Sequence, residues 1–131
     1  TFPNLILIGH SQAFWSEIGG DTTDENRNGY PEGRVEPGGV VPRLLEQYPN
    51  MYGEISAKSG YHALTRDPEF GYEFIEKFQD KLLFGTDSSA PTHNHPHAEL
   101  MRTLHSGGHI STAAFEKISW QNVNRILKLG L

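Results

Sequence analysis

Two apolar runs in this chain end at a glycine step and then present a residue suited to binding metals and moving protons. Leu5-Ile6-Leu7-Ile8-Gly9 is followed by His10, and Leu82-Leu83-Phe84-Gly85-Thr86 by Asp87. A continuous apolar run of this length, bounded by turn residues, suits a strand covered on both faces, as in a parallel sheet. In such sheets functional groups gather beyond the carboxyl ends of the strands. His10 and Asp87 are therefore the first candidates for metal ligation and proton transfer. The plainer roles for the same residues are a hydrogen-bonded strand-end histidine and a helix-capping aspartate.

The lead-in to each strand repeats. Phe2-Pro3-Asn4-Leu5 opens the first run and Tyr48-Pro49-Asn50-Met51 opens Met51-Tyr52-Gly53-Glu54-Ile55-Ser56. Phe78-Gln79-Asp80-Lys81-Leu82 opens the last. Proline presets φ and asparagine tolerates unusual backbone geometry, so both suit the tight turn before a strand. The spacing leaves room for a helix after each strand, the rhythm of βα units with a parallel sheet. Ser56 then emerges at the same end as His10 and Asp87 and becomes a substrate-binding candidate.

The helices between the strands are legible. Val41, Leu44 and Leu45 share one face of a segment from Val40 to Tyr48, with Pro42 tolerated in its first turn. Asp67-Pro68-Glu69 reads as a capped helix start, and Phe70, Phe74 and Phe78 follow as a stripe that packs on the sheet. Ser111 caps a helix bearing Phe115 and Ile118, and Val123, Ile126 and Leu127 mark a last helix.

The chain has 131 residues, room for one domain, with 36% hydrophobic and 21% charged residues, the balance of a globular protein. A net charge of -5 argues against non-specific binding to nucleic acid or anionic membrane. No apolar stretch approaches the ~20 residues that span a bilayer. Without cysteine there is no disulfide framework or thiolate metal site, which is compatible with a cytoplasmic location. The abrupt start, Thr1 leading at once into a strand, suggests a piece of something longer.

Residues 11–39 form a polar stretch of a length that usually signals function. It follows the strand carrying His10 and reads as a lid. Phe14 and Trp15 are candidates to line a pocket for substrate, and Arg27 or Arg34 to hold an anionic group. The plainer alternative is a solvated insertion in which Phe14, Trp15 and Ile18 anchor a short helix. His93-Asn94-His95-Pro96-His97 resembles a metal-binding patch, but it lies in a proline-bounded loop without a strand beneath it. His62 and His105 read as helix-surface residues and His109 as a turn residue.

Taken in order, Phe-Pro-Asn-Leu before Gly9-His10, the run Met51 to Ser56, and Lys81-Leu82-Leu83-Phe84-Gly85-Thr86-Asp87 resemble the amidohydrolase superfamily, in its amidohydrolase-related branch of metal-dependent hydrolases and decarboxylases. The closing segment Phe115 to Leu127 is similar to that branch's last helices. The resemblance implies the C-terminal portion of a TIM-like (β/α)8 barrel, strands six to eight, in one partial domain over residues 1–131. It implies that Asp87 binds a divalent metal, zinc first, and handles the proton of the attacking water. It implies that His10 binds a second metal or polarises substrate. The family's His-x-His on strand one and its ligands on strands four and five have no equivalent in this chain. The expected activity is metal-dependent hydrolysis of a small polar or carboxylate-bearing substrate by a homo-oligomer of the full-length protein. The alternatives are the related decarboxylation, a non-catalytic barrel fragment, and a small-molecule binding module.

Overall fold

The computed structural model describes residues 4–131; Thr1, Phe2 and Pro3, and with them part of the first strand's lead-in, lie outside it. Strands β1 (Leu7–Gly9), β2 (Met51–Glu54) and β3 (Leu82–Leu83) form one parallel sheet in the order β1-β2-β3. Leu7 lies opposite Met51, and Gly53 opposite Leu82. Between the strands run α1 (Gln12–Trp15), a 3-10 turn (Ser16–Ile18), α2 (Val40–Gln47), α3 (Ala57–Thr65) and α4 (Pro68–Lys77). After β3 come α5 (His97–Ser106), α6 (Thr112–Glu116), a π-turn (Lys117–Gln121) and α7 (Asn122–Leu127).

This sheet overturns the expected barrel slice. β1 and β3 are the edges of the sheet, and in a closed barrel the outer edge of β3 would pair with a further strand. The outer edge of β3 meets helices. Phe84 N–H donates to the Ile118 carbonyl in the π-turn at 3.0 Å. The buried Asn122 amide donates to the carbonyls of Leu82 at 2.8 Å and Gln79 at 2.7 Å. The molecule is a small, helix-rich α/β unit with a three-stranded parallel sheet.

The apolar run of β1 is not covered on both faces either. Leu5, Ile6, Leu7 and Ile8 are 42–52% exposed, while Leu82 and Leu83 are buried. Hydrophobicity alone does not distinguish an edge strand from a covered one, and the helices pack on β2 and β3.

The core joins Trp15 and Ile18 to Val41, Ile55, Phe74, Leu82, Met101 and Ile118. Local chemistry sets its helices. Asp67 caps α4 by accepting from Phe70 N–H, with Pro68 at the first position. Phe70 stacks on Phe74 at 5.7 Å, and Phe74 meets Phe78, just past the end of that helix, at a tilt and 4.7 Å. Ser111 caps α6 by accepting from Ala114 N–H at 3.1 Å. No helix among the described residues is long and apolar enough to cross a membrane.

Residues 19–39 are irregular but strapped down. Arg66, nearly buried, grips Asp21 through two hydrogen bonds of 2.9 Å. This fork holds the Asp21 carboxyl below its usual range. The Pro31 carbonyl sits 2.7 Å from His62 Nε2, and Val35 N–H donates to Asp67 at 3.0 Å. The segment expected to be a lid is thus fastened to α3 and the start of α4.

Candidate functional site

The two glycines of the strand endings are explained by what approaches them. A Cβ on Gly9 would collide with the ring of Phe14, and a Cβ on Gly85 with Oε1 of Glu54. The first lets α1 turn back tightly against β1. The second leaves room for a carboxylate at the end of the sheet.

Glu54, last residue of β2, is the centre of the site. Its Oε2 lies 2.7 Å from His10 Nδ1 and also accepts from the Ser56 hydroxyl. Its Oε1 accepts from the Ser56 backbone N–H at 3.0 Å. The Ser56 hydroxyl is itself 3.3 Å from His10 Nδ1. An ionised carboxylate only accepts, so the hydrogen of His10 resides on Nδ1. Nε2 then carries the lone pair, and it has no partner among the described residues. The His10 side chain is 43% exposed and Glu54 20%, so the base is accessible and its orienting group is half-buried.

Backbone conformation marks the same end of the sheet. Ser11 (φ 72°), Ala57 (φ 56°) and Asp87 (φ 60°) all adopt positive φ, and each follows one strand by a few residues. Such conformations cost of order 1–3 kcal/mol for residues with a Cβ and cluster where function demands a particular turn. Lys128 is the remaining non-glycine residue with positive φ among those described, at the end of α7.

The structure brings only some of the sequence candidates together. His10 and Ser56 meet around Glu54. Asp87 is exposed at the exit of β3 and makes no side-chain hydrogen bond among the described residues, so the helix-capping role is not realised there. Trp15 is 2% exposed and packs edge-on against Phe14 and Phe74. Its indole N–H donates to the Glu54 carbonyl at 2.9 Å, so it supports the site from within the core. Arg27 is exposed and faces Asp24 at 3.2 Å and Glu17 at 3.7 Å. Arg34 lines a cleft of about 410 Å³ with Glu36, Asp67, Glu69 and Glu73, which shares no residue with the strand exits.

Sequence reasoning missed Glu54. The available signal was a carboxylate inside the apolar run Met51 to Ser56. The expected metal set does not gather around it. With β2 between them, the backbones of His10 and Asp87 are separated by two strand spacings, about 10 Å. Among the described residues no group of three or more His, Asp or Glu side chains could hold an ion.

His97 lies beneath these exits, 1% exposed, with Nε2 2.9 Å from the Ala57 carbonyl. Burial holds its pKa below the ordinary histidine value. The nearby His95 acts in the same direction, while the Ala57 hydrogen bond and Glu54 oppose it. A histidine with a depressed folded pKa takes up its proton more readily when unfolded. Its contribution to stability is full above the unfolded pKa, near 6.5, and declines as the pH falls toward the folded one. The melting temperature should therefore drop between pH 7 and pH 5, and by less in His97→Gln. Equal drops in both proteins would show that other groups carry the effect.

No protein family, no curated protein and no solved structure matched this chain.

Proposed function

We propose that this chain carries a hydrolytic site in which His10, oriented by Glu54, activates a water molecule. The observation that supports this best is the 2.7 Å contact between His10 Nδ1 and Glu54, which directs the basic Nε2 away from the carboxylate. Glu54 accepts the Nδ1 hydrogen, fixes the tautomer and stabilises the imidazolium formed when Nε2 takes the proton of water. Ser56 is 2% exposed and its hydroxyl donates to Glu54, so it positions the carboxylate and water is the nucleophile. Glu54 and Asp87 bring negative charge to the strand exits, and no Lys or Arg among the described residues bonds to the Glu54 carboxylate. A small neutral ester or amide suits that field better than a carboxylate-bearing substrate.

The test is a panel of small esters and amides assayed with the unmodified protein, His10→Asn and Asp87→Asn, each with added zinc and with a chelator. His10→Asn should lower the rate about 100-fold or more at an unchanged melting temperature. Asp87→Asn should fold normally, because asparagine tolerates positive φ. Zinc-dependent turnover lost in Asp87→Asn would restore the metal to the mechanism. Turnover unchanged in His10→Asn would sink the proposal.

A further inference from the structure

The loop between β3 and α5 sets three imidazoles in a row. The ring centres of His93 and His95 are 5.5 Å apart, and those of His95 and His97 are 6.0 Å apart. Two nitrogens in this row are buried without a hydrogen-bond partner among the described residues, His95 Nε2 and His97 Nδ1. Buried polar atoms in folded proteins are nearly always paired, so two orphans on adjacent rings mark a place for an additional occupant.

The rest of the geometry says what kind. His97 is 1% exposed, and the Ala57 carbonyl takes the hydrogen of its Nε2. A histidine that ligates a metal is typically held this way: its far N–H on a carbonyl fixes the tautomer and leaves the near nitrogen's lone pair for the ion. Two imidazoles bound to one ion through bonds of about 2 Å have ring centres up to roughly 6 Å apart. The spacing of His95 and His97 falls at that limit. Imidazole nitrogen suits zinc, nickel and copper and is poorly matched to magnesium or calcium.

We propose that His95 Nε2 and His97 Nδ1 form a two-imidazole site for a borderline divalent cation of the zinc or nickel type. No three His, Asp or Glu groups among the described residues form a ready-made cage, so water completes the coordination shell. His93 is exposed and its Nδ1 faces the Ser89 N–H at 3.4 Å, so it is not a ligand in this arrangement. The bound ion fastens the loop after β3 to the first turn of α5. The site uses neither His10 nor Glu54 and stands independently of the hydrolytic reading.

Calorimetric titration with zinc chloride and nickel chloride at neutral pH tests it, with magnesium chloride as the hard-cation control. The expected result is one zinc or nickel ion per chain and no magnesium. His95→Gln should weaken binding at least about tenfold, as loss of one of two ligands requires. His10→Asn and His93→Gln should leave it unchanged. His97→Gln should weaken it too, but that residue is in the core, so the variant at half-buried His95 is the decisive one. No saturable binding below about 1 mM, or unchanged binding in His95→Gln, would overturn the site and assign the two orphan nitrogens to a bridging water.

Discussion

Glu54→Gln should lower hydrolytic turnover about 100- to 10,000-fold while leaving the fold intact. The amide is nearly isosteric, and its oxygen can still accept from the Ser56 N–H that now bonds Oε1. The other arm then offers N–H where the carboxylate offered a lone pair. Facing that donor, His10 shifts its hydrogen to Nε2, and the atom that should take a proton from water already has one. The variant therefore removes the base without removing the histidine. Steady-state rates, paired with an NMR measurement of which His10 nitrogen is protonated, check both halves. A full rate with the hydrogen on Nε2 would show that His10 is not the base.

The largest effect on stability should come from Trp15→Ala, about 3–5 kcal/mol. The side chain is almost wholly buried between Phe14 and Phe74, and its loss leaves a cavity beneath the sheet. It also strips the Glu54 carbonyl of its indole donor. For a chain of this size the melting temperature should fall by roughly 10–20 °C. Trp15→Phe separates the two contributions, because it keeps most of the packing and loses only the hydrogen bond, at about 1–3 kcal/mol. Chemical denaturation of both variants measures this. A near-neutral Trp15→Ala would return the residue to the wall of a substrate pocket.

What the sequence revealed was local. Asp67 and Ser111 cap the helices they precede because a cap needs only its own next three residues. The three strands lie where their apolar runs and lead-in turns put them. Helix α3 showed only through His62, and its mid-helix glycine is explained only by the Ile55 carbonyl that a Cβ would strike. The role of Glu54 was invisible for a related reason. It depends on His10, 44 residues earlier, arriving on the neighbouring strand. His97 read as part of a proline-bounded loop until α5 carried it under Ala57. The barrel expectation failed where a motif cannot report on what lies beside it. The run of β3 says strand, but only Asn122 and the π-turn show that its outer edge is already taken.

The pairing of β1 with β2 also governs the order of events when the chain folds. Parallel neighbours so far apart in sequence come together only after a long intervening segment has been closed, which makes such contacts slow to form. The α4 aromatic stack and the Ser111 cap need no such closure. Until β1 docks, His10 and Glu54 are strangers, and Leu5 to Ile8 are an uncharged apolar ribbon with two open edges in place of one. The strand that completes the proposed active site is thus also the one most exposed to pairing with the wrong neighbour. The yield of active protein on refolding should be limited by chain concentration before it is limited by temperature.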